Sequence, residues 1–341
     1  MAKKAEGTTV TAAGREVTIT SPDKVYFSER GETKMDLVEY YLSIEEPLMQ
    51  WIHGRPLLLE KYPQGAGGPS FFQKRIPDSA PEWLERAEVS TPNGTTSSAL
   101  VATDIASILW AVNQGCLGFH VWPYLASDPA HTDELRIDLD PSPGTTFDHI
   151  REAAREVRTL LADHGLVGFP KTTGSRGVHI YVHCAPTWDS YDVRGAAIVL
   201  ARELGERRPD LLTEAWWKEE RGERIFIDFN QNAPHKTIFG AWGARPRVGA
   251  QVSTPVEWDE IDAILPDELT IATVPARVAE RGNAWATMFD HPQDIGELVD
   301  RYHADLDAGL PDAPWPPVYP KMPHEPPRVA PSRAKKAPPG A

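Results

Sequence analysis

Apolar side chains recur along this chain at two periods. Over 146–165, "TFDHIREAAREVRTLLADHG", they fall every three or four positions, which is one face of a helix, and Gly165 closes the run. "KMDLVEYYLSIEEPLMQWI" (34–52), "DIASILWAVNQG" (104–115) and "SYDVRGAAIVLARELGERRPD" (190–210) show the same spacing. Elsewhere the period is two. "ELRIDLDP" (134–141), "GVHIYVHC" (177–184) and "ERIFIDFNQ" (223–231) read as strands. "RPLLLEKYP" (55–63), "FFQKRIP" (71–77) and "LGFHVWPYL" (117–125) add extended segments, and Asn93-Gly94 marks a hairpin within 88–102. The second half therefore alternates strand and helix, an α/β or split α+β layout.

Both ends depart from these periods. Residues 1–8 show no apolar face and are expected to be flexible. Residues 311–341 are too rich in proline for a core helix or central strand. Trp315 and Tyr319 are candidates to pin the first part of that tail, and Arg333, Lys335 and Lys336 give its end a solvated basic character.

The 341 residues, 41% hydrophobic with 11 Trp, supply one large domain or two moderate ones. No apolar run is long enough to span a membrane, and the first residues lack a secretory signal. Cys116 and Cys184 are the only cysteines, which favours a reducing cytoplasm over a disulfide framework. The net charge of −14 argues against a broad nucleic-acid-binding surface. A local basic groove stays open, because salt limits the reach of each charge to roughly 8 Å.

In 134–141, Leu135, Ile137 and Leu139 share one face, while Arg136, Asp138 and Asp140 share the other. Carboxylates two positions apart on a strand lie about 7 Å apart at Cα, and hard oxygen ligands suit Mg²⁺ or Mn²⁺. Alternation in 223–231 puts Phe226, Asp228 and Asn230 on one face, so Asp228 offers a third acid for a two-metal site. A lone Asp-x-Asp is also common on a solvated sheet face. Gly174-Ser175-Arg176-Gly177 is a tight turn with free amides and a cation, suited to phosphate. His179 follows on a strand, where a phosphate or metal contact competes with a satisfied core histidine. Phe71 and Phe72 point to opposite faces beside Lys74 and Arg75, an arrangement that suits bases and phosphates or a plain amphipathic strand. Lys236, Arg245 and Arg247 follow the third acid.

From about Ser21 to about Asp300 the chain resembles the polymerase domain of bacterial ligase D, within the archaeo-eukaryotic primase superfamily. The motifs "RIDLDP", "GSRGVHIYV" and "IDFNQN" stand in that family's order. The resemblance implies a primase-type catalytic core, with two β-sheets flanking a central cleft, helices outside and an RRM-like second half. The catalytic domain would span 9–310, with a DNA-binding part at 9–115 and the RRM-like part at 116–300. Asp138, Asp140 and Asp228 match the metal-binding acids. His179, Thr173, Arg176, His120, Lys74, Gln231 and Arg245 match nucleotide contacts. Thr173 stands where the family usually has Ser, and Arg176 where Lys is frequent. Phe71 and Phe72 match a stacking pair, Lys24 and Lys34 match cations for a downstream 5′-phosphate, and Arg221 matches a DNA-end contact.

The implied activity is template-directed nucleotide addition by two-metal phosphoryl transfer, with Mn²⁺ or Mg²⁺, NTP or dNTP, and a ribonucleotide preference. The expected substrate is gapped, 5′-phosphorylated DNA. The loop over Val89–Asp104 has no Lys or Arg, which favours gap filling over bridging of broken ends. No adenylating lysine motif is evident, so a separate ATP-dependent ligase is the expected partner, and the chain is expected to be a monomer associated with the nucleoid. Base-excision repair and end joining are the candidate pathways. The competing readings are an end-joining polymerase, a metal-dependent phosphodiesterase and a non-catalytic DNA-binding adaptor.

Overall fold

The computed structural model describes residues 7–333. In chain order the elements are β1 (Gly7–Ala12), β2 (Arg15–Thr20), β3 (Val25–Phe27), β4 (Glu32–Thr33), α1 (Lys34–Ser43), α2 (Glu45–Ile52), β5 (Pro56–Lys61), β6 (Phe71–Gln73), β7 (Arg86–Ser90), β8 (Thr96–Val101), α3 (Ile105–Asn113), β9 (Cys116–Val121), β10 (Thr132–Pro141), α4 (Phe147–Asp163), β11 (Phe169–Thr172), β12 (Val178–Trp188), α5 (Ser190–Arg207), β13 (Leu212–Thr213), α6 (Lys218–Arg221), β14 (Ile225–Ile227), β15 (Ile238–Phe239), α7 (Val274–Arg281) and α8 (Gly296–Asp307). Among the described residues no helix is long and apolar enough to cross a membrane. Both cysteines are buried and unpaired.

Two sheets organise the molecule. One runs β15-β9-β5-β8-β7, with β6 also on β5. The other runs β11-β12-β10-β14-β13, antiparallel except for β13 and β14. In the second sheet Leu135, Ile137, Leu139, Val178, Ile180 and Val182 face one core with side chains of α4, α5 and α8. Alternation predicts this face. On the opposite face Tyr181 joins the other core, its ring 5.0 Å from Trp285 and 6.2 Å from Trp51. Buried charges also tie the halves together: Arg55 pairs with Asp133 at 2.7 Å and with Glu134 at 3.2 Å, both on β10.

Several expectations change. The 34–52 helix breaks at Ile44, because Pro47 has no N–H to give the Ser43 carbonyl. Gly7 and Thr8 belong to β1, whereas residues 1–6 lie outside the described residues. The parts 9–115 and 116–300 share a sheet, since β9 pairs with β5 and β15 pairs with β9. The tail does not end the packed structure at 310. Asp312, Trp315, Tyr319 and Glu325 are buried, while Lys335 and Lys336 lie outside the described residues.

Candidate active site

The acids gather where β10, β12 and β14 meet. Asp138 lies directly across from His179, and Asp140 from Phe226. Asp228 is not on a strand face as alternation predicts. β14 stops at Ile227, and Asp228 caps a 3₁₀ turn, Phe229–Asn232, accepting from the Asn230 N–H. Its own N–H donates to the Asp138 carbonyl at 3.0 Å, which fixes the third acid beside the first. Gln231 Nε2 donates to Asp228 at 3.0 Å.

Burial pushes the Asp138 carboxyl up to about 6, against the pull of Lys171 and Arg245. Burial and then repulsion from Asp138 push Asp228 up to about 6 as well. Asp140 is raised by burial and by Asp138, and is drawn down by Arg221, Lys218 and Arg176. Among the described residues no three His, Cys, Asp or Glu side chains are drawn close enough to form a closed metal cage. The donor set nonetheless suits hard divalent ions: carboxylate oxygens whose mutual repulsion a cation would relieve. His179 points the same way. Its Nε2 lies 3.3 Å from Asp138, while its buried Nδ1 has no partner. Burial, then Lys171 and Arg245, hold this imidazole well below its usual range, so it is neutral.

In the turn before β12 two of the backbone amides are held by a side chain. Thr173 Oγ1 accepts from the Ser175 and Gly177 N–H groups, each at 3.2 Å, and Arg176 stands exposed. Arg245 Nε donates to the Thr173 carbonyl at 2.5 Å. Burial pulls the Arg245 guanidinium down to about 10, against attraction to Asp138 and Glu60. One side chain thus links the acids to the first sheet. There His120 Nε2 lies 3.2 Å from Glu60, edge-on to Phe72 and Phe239. Phe71 and Phe72 are both exposed, and Lys74 is exposed beyond them.

The sequence and the fold match known proteins. The family model described as "LigD, primase-polymerase domain" matches residues 33–285. The chain belongs to the LigD primase-polymerase family. A multifunctional non-homologous end joining DNA repair protein LigD of Mycobacterium tuberculosis is 34% identical over 322 residues, covering 91% of this chain and 42% of that protein. A bifunctional non-homologous end joining protein LigD of Bacillus subtilis is 30% identical over 277 residues, covering 81% of this chain and 44% of that protein. The chain thus spans less than half the length of these relatives. Its fold matches the polymerase domain of Mycobacterium tuberculosis ligase D in complex with DNA, with a TM-score of 0.76 and 33% identity. That match covers 81% of this chain and 99% of the other.

Of the residues that the family motifs single out, Asp138, Asp140, Asp228, His179, Thr173, Arg176, Gln231 and Arg245 come together around the acids. His120, Phe71, Phe72 and Lys74 form a neighbouring wall. Arg221 sits elsewhere than at an open DNA-end surface: it is buried, stacks on Phe226 at 3.5 Å and lies 3.6 Å from Asp140. Lys24 and Lys34 flank the β3–β4 hairpin away from the acids. Lys34 is only 4% exposed and donates to the Thr20 carbonyl at 2.5 Å, while Lys24 donates to the Pro63 carbonyl at 2.5 Å.

Sequence reasoning missed Glu60 and Lys171. Glu60 was legible as the lone acid in an apolar run. Lys171, fully buried and donating to Ser253 Oγ at 2.6 Å, shares a sheet face with His179 only through the β11–β12 register, which no local pattern encodes.

Proposed function

We propose that this chain is a template-directed nucleotidyltransferase that fills short gaps in 5′-phosphorylated DNA. It would use NTPs in preference to dNTPs and two divalent ions, Mn²⁺ or Mg²⁺. The observation that carries the reading is the placement of Asp138 and Asp140 along β10, with Asp228 tied to Asp138 by a main-chain hydrogen bond and Arg245 and His179 beside Asp138. A triphosphate needs that pairing of acids with cations, whereas a binding adaptor needs no such acids. Asp138, Asp140 and Asp228 would hold the ions, which when bound lower the pKa of the primer 3′-OH and neutralise the triphosphate.

The chain's own groups orient the rest. The Gly174 and Arg176 amides and the Arg176 cation receive phosphate oxygens. Arg245 and His179 donate to the same charge from a dry position, where a donor is worth more than in water. His120 and Glu60 face the sugar, and Phe72 stacks on the base. The substrate then lies between the two sheets, in the central cleft expected of a primase-type core with an RRM-like second half.

The relatives' names point to end joining, and that is the second reading. Against it, the turn at 91–95 between β7 and β8 carries no Lys or Arg. The test is nucleotide addition on single-nucleotide gaps and on mismatched ends, with Asp138→Ala and Asp228→Ala as controls. Both variants should lose addition. Undiminished synthesis by either would remove the site. Extension confined to mismatched ends would favour the end-joining role.

A further inference from the structure

The segment from Pro311 to Ala330 contains no helix or strand, yet it is bolted to the loop that bears Asp228. The bolt starts at Asp312. Its Oδ1 accepts from Arg194 at 3.0 Å and from Tyr302 OH at 2.7 Å, and its Oδ2 accepts from the Trp315 indole at 2.7 Å. The Arg194 guanidinium is buried, 3.8 Å from the Trp315 ring and 5.5 Å from Phe229. Arg194 Nε donates to Asn230 Oδ1 at 2.8 Å, and Asn230 Nδ2 donates to the Pro314 carbonyl at 3.0 Å. The main-chain N–H of the same Asn230 donates to Asp228 Oδ1 at 3.1 Å.

Farther along, Tyr319 OH donates to the Pro234 carbonyl, and Trp315 and Tyr319 bury Ala233. Glu325 closes the segment on itself, accepting from the Trp315 and Met322 N–H groups and from Arg328.

We propose that this C-terminal clasp is a positioning device for the Asp228 carboxylate, acting through Asn230. The physical reason is local weakness. A single 3₁₀ turn has poor hydrogen-bond geometry and does not hold itself. Asn230 is immobilised from outside, by Arg194 on α5 and by Pro314 on the clasp. Arg194 in turn needs Asp312, since a buried guanidinium without a carboxylate is an uncompensated charge. The chain of contacts therefore runs Trp315, Asp312, Arg194, Asn230, Asp228. Asp312, Trp315 and Asn230 are positioning residues, and their role rests on the reading that Asp228 holds a metal ion.

The experiment uses the full chain with Trp315→Ala, Trp315→Phe and Tyr319→Phe. Three readouts are taken: Mn²⁺ affinity of the DNA-free protein by electron paramagnetic resonance, amide exchange over 228–235, and kcat and KM for nucleotide on gapped DNA. Trp315→Ala should weaken Mn²⁺ binding about tenfold or more, as is usual when a ligand's supporting contacts are lost. It should speed exchange over 228–235 and lower kcat with KM unchanged, while Trp315→Phe restores most of each. Tyr319→Phe, which removes one bond and keeps the ring, should show the same changes more weakly. A Trp315→Ala protein with a lower melting temperature but wild-type Mn²⁺ affinity and wild-type exchange would overturn the proposal. If the wild type binds Mn²⁺ but adds no nucleotide, the polymerase reading falls, and the Mn²⁺ and exchange comparison still decides the clasp.

Discussion

The main-chain carbonyl of Asp138 accepts the main-chain N–H of Asp228 at 3.0 Å, so two acids 90 positions apart are held together by backbone rather than by their side chains. That bond forces two buried carboxyls into each other's field. It stores a repulsion that protons or cations relieve, and the first prediction follows from it.

Asp138 and Asp228 are raised from an ordinary 3.8 to about 6, by burial in both and by mutual charge in Asp228. The fold therefore binds these protons more tightly than the unfolded chain does. Their contribution to stability is fully present below pH 3.8 and is lost as pH rises through about 6. Asp228→Asn should stabilise the metal-free chain at pH 7.5 by on the order of 1–3 kcal/mol, at about 1.4 kcal/mol per pKa unit. It should make little difference at pH 3.5, and it should remove the stabilisation that Mn²⁺ gives the wild type. Urea unfolding at both pH values, with and without Mn²⁺, checks this. Equal stability of variant and wild type at pH 7.5 would contradict it.

What the sequence reveals of this site follows physical locality. The Asp138–Asp140 pair and its apolar opposite face are visible because a strand alternates, and β10 is long enough to show it. Asp228 is visible as a residue but not as a geometry: β14 has only three residues, and the chain turns into a 3₁₀ helix where alternation predicts more strand. Lys171 and the Arg194–Asp312 pair depend on contacts between distant segments, which no period records. Among the described residues of the tail, 311–330 hold no helix or strand, in keeping with their proline content. That content does not disclose the packing, because Trp315 and Tyr319 also find partners at Ala233 and Pro234, far from the tail in sequence.

Gly177 offers a second test. A Cβ there would sit 2.8 Å from the Leu139 carbonyl oxygen, and Leu139 lies between the two acids of β10. The neighbour is backbone, so it cannot swing aside. Gly177→Ala should cost about 1–3 kcal/mol of stability, typical of overpacking. It should lower kcat by more than that loss explains, because it displaces Asp138 and Asp140 together. Thermal unfolding and single-turnover addition, measured below the melting range, separate the two effects.

Lys24 and Lys34 should separate on mutation. Lys34 is buried, its ammonium on the Thr20 carbonyl and 5.7 Å from the Tyr26 ring, with its pKa lowered by burial and then by Lys24. Lys34→Ala orphans that carbonyl and should cost about 1–3 kcal/mol of stability. Lys24 is exposed, so Lys24→Ala should leave stability unchanged, erase discrimination between 5′-phosphate and 5′-hydroxyl, and reduce the salt slope of binding by about one. Gap binding across a salt series, beside unfolding curves, reads both. A Lys24→Ala protein that still prefers the phosphate would remove this lysine from the DNA interface.

Glu60 sets the last prediction. Gly118 lies opposite it across the sheet, and a Cβ there would meet Glu60 Oε2 at 2.7 Å. The bare glycine leaves room for the carboxylate to receive His120 and Tyr62 OH, the latter at 2.7 Å. Burial alone would raise the Glu60 carboxyl. Hydrogen bonds from His120 and Tyr62, with the charges of His120 and Arg245, outweigh it and hold the group below its ordinary range. Glu60 therefore stays ionised and keeps His120 aimed between Phe72 and Phe239. Glu60→Gln replaces a charge-assisted bond worth about 1.5–3 kcal/mol with a neutral one, so nucleotide KM should rise about tenfold with kcat nearly constant. Gly118→Ala displaces the same carboxylate without altering its charge and should raise KM in the same sense. If Glu60→Gln lowered kcat and left KM alone, the wall formed by Glu60 and His120 would belong to the chemical step rather than to nucleotide binding.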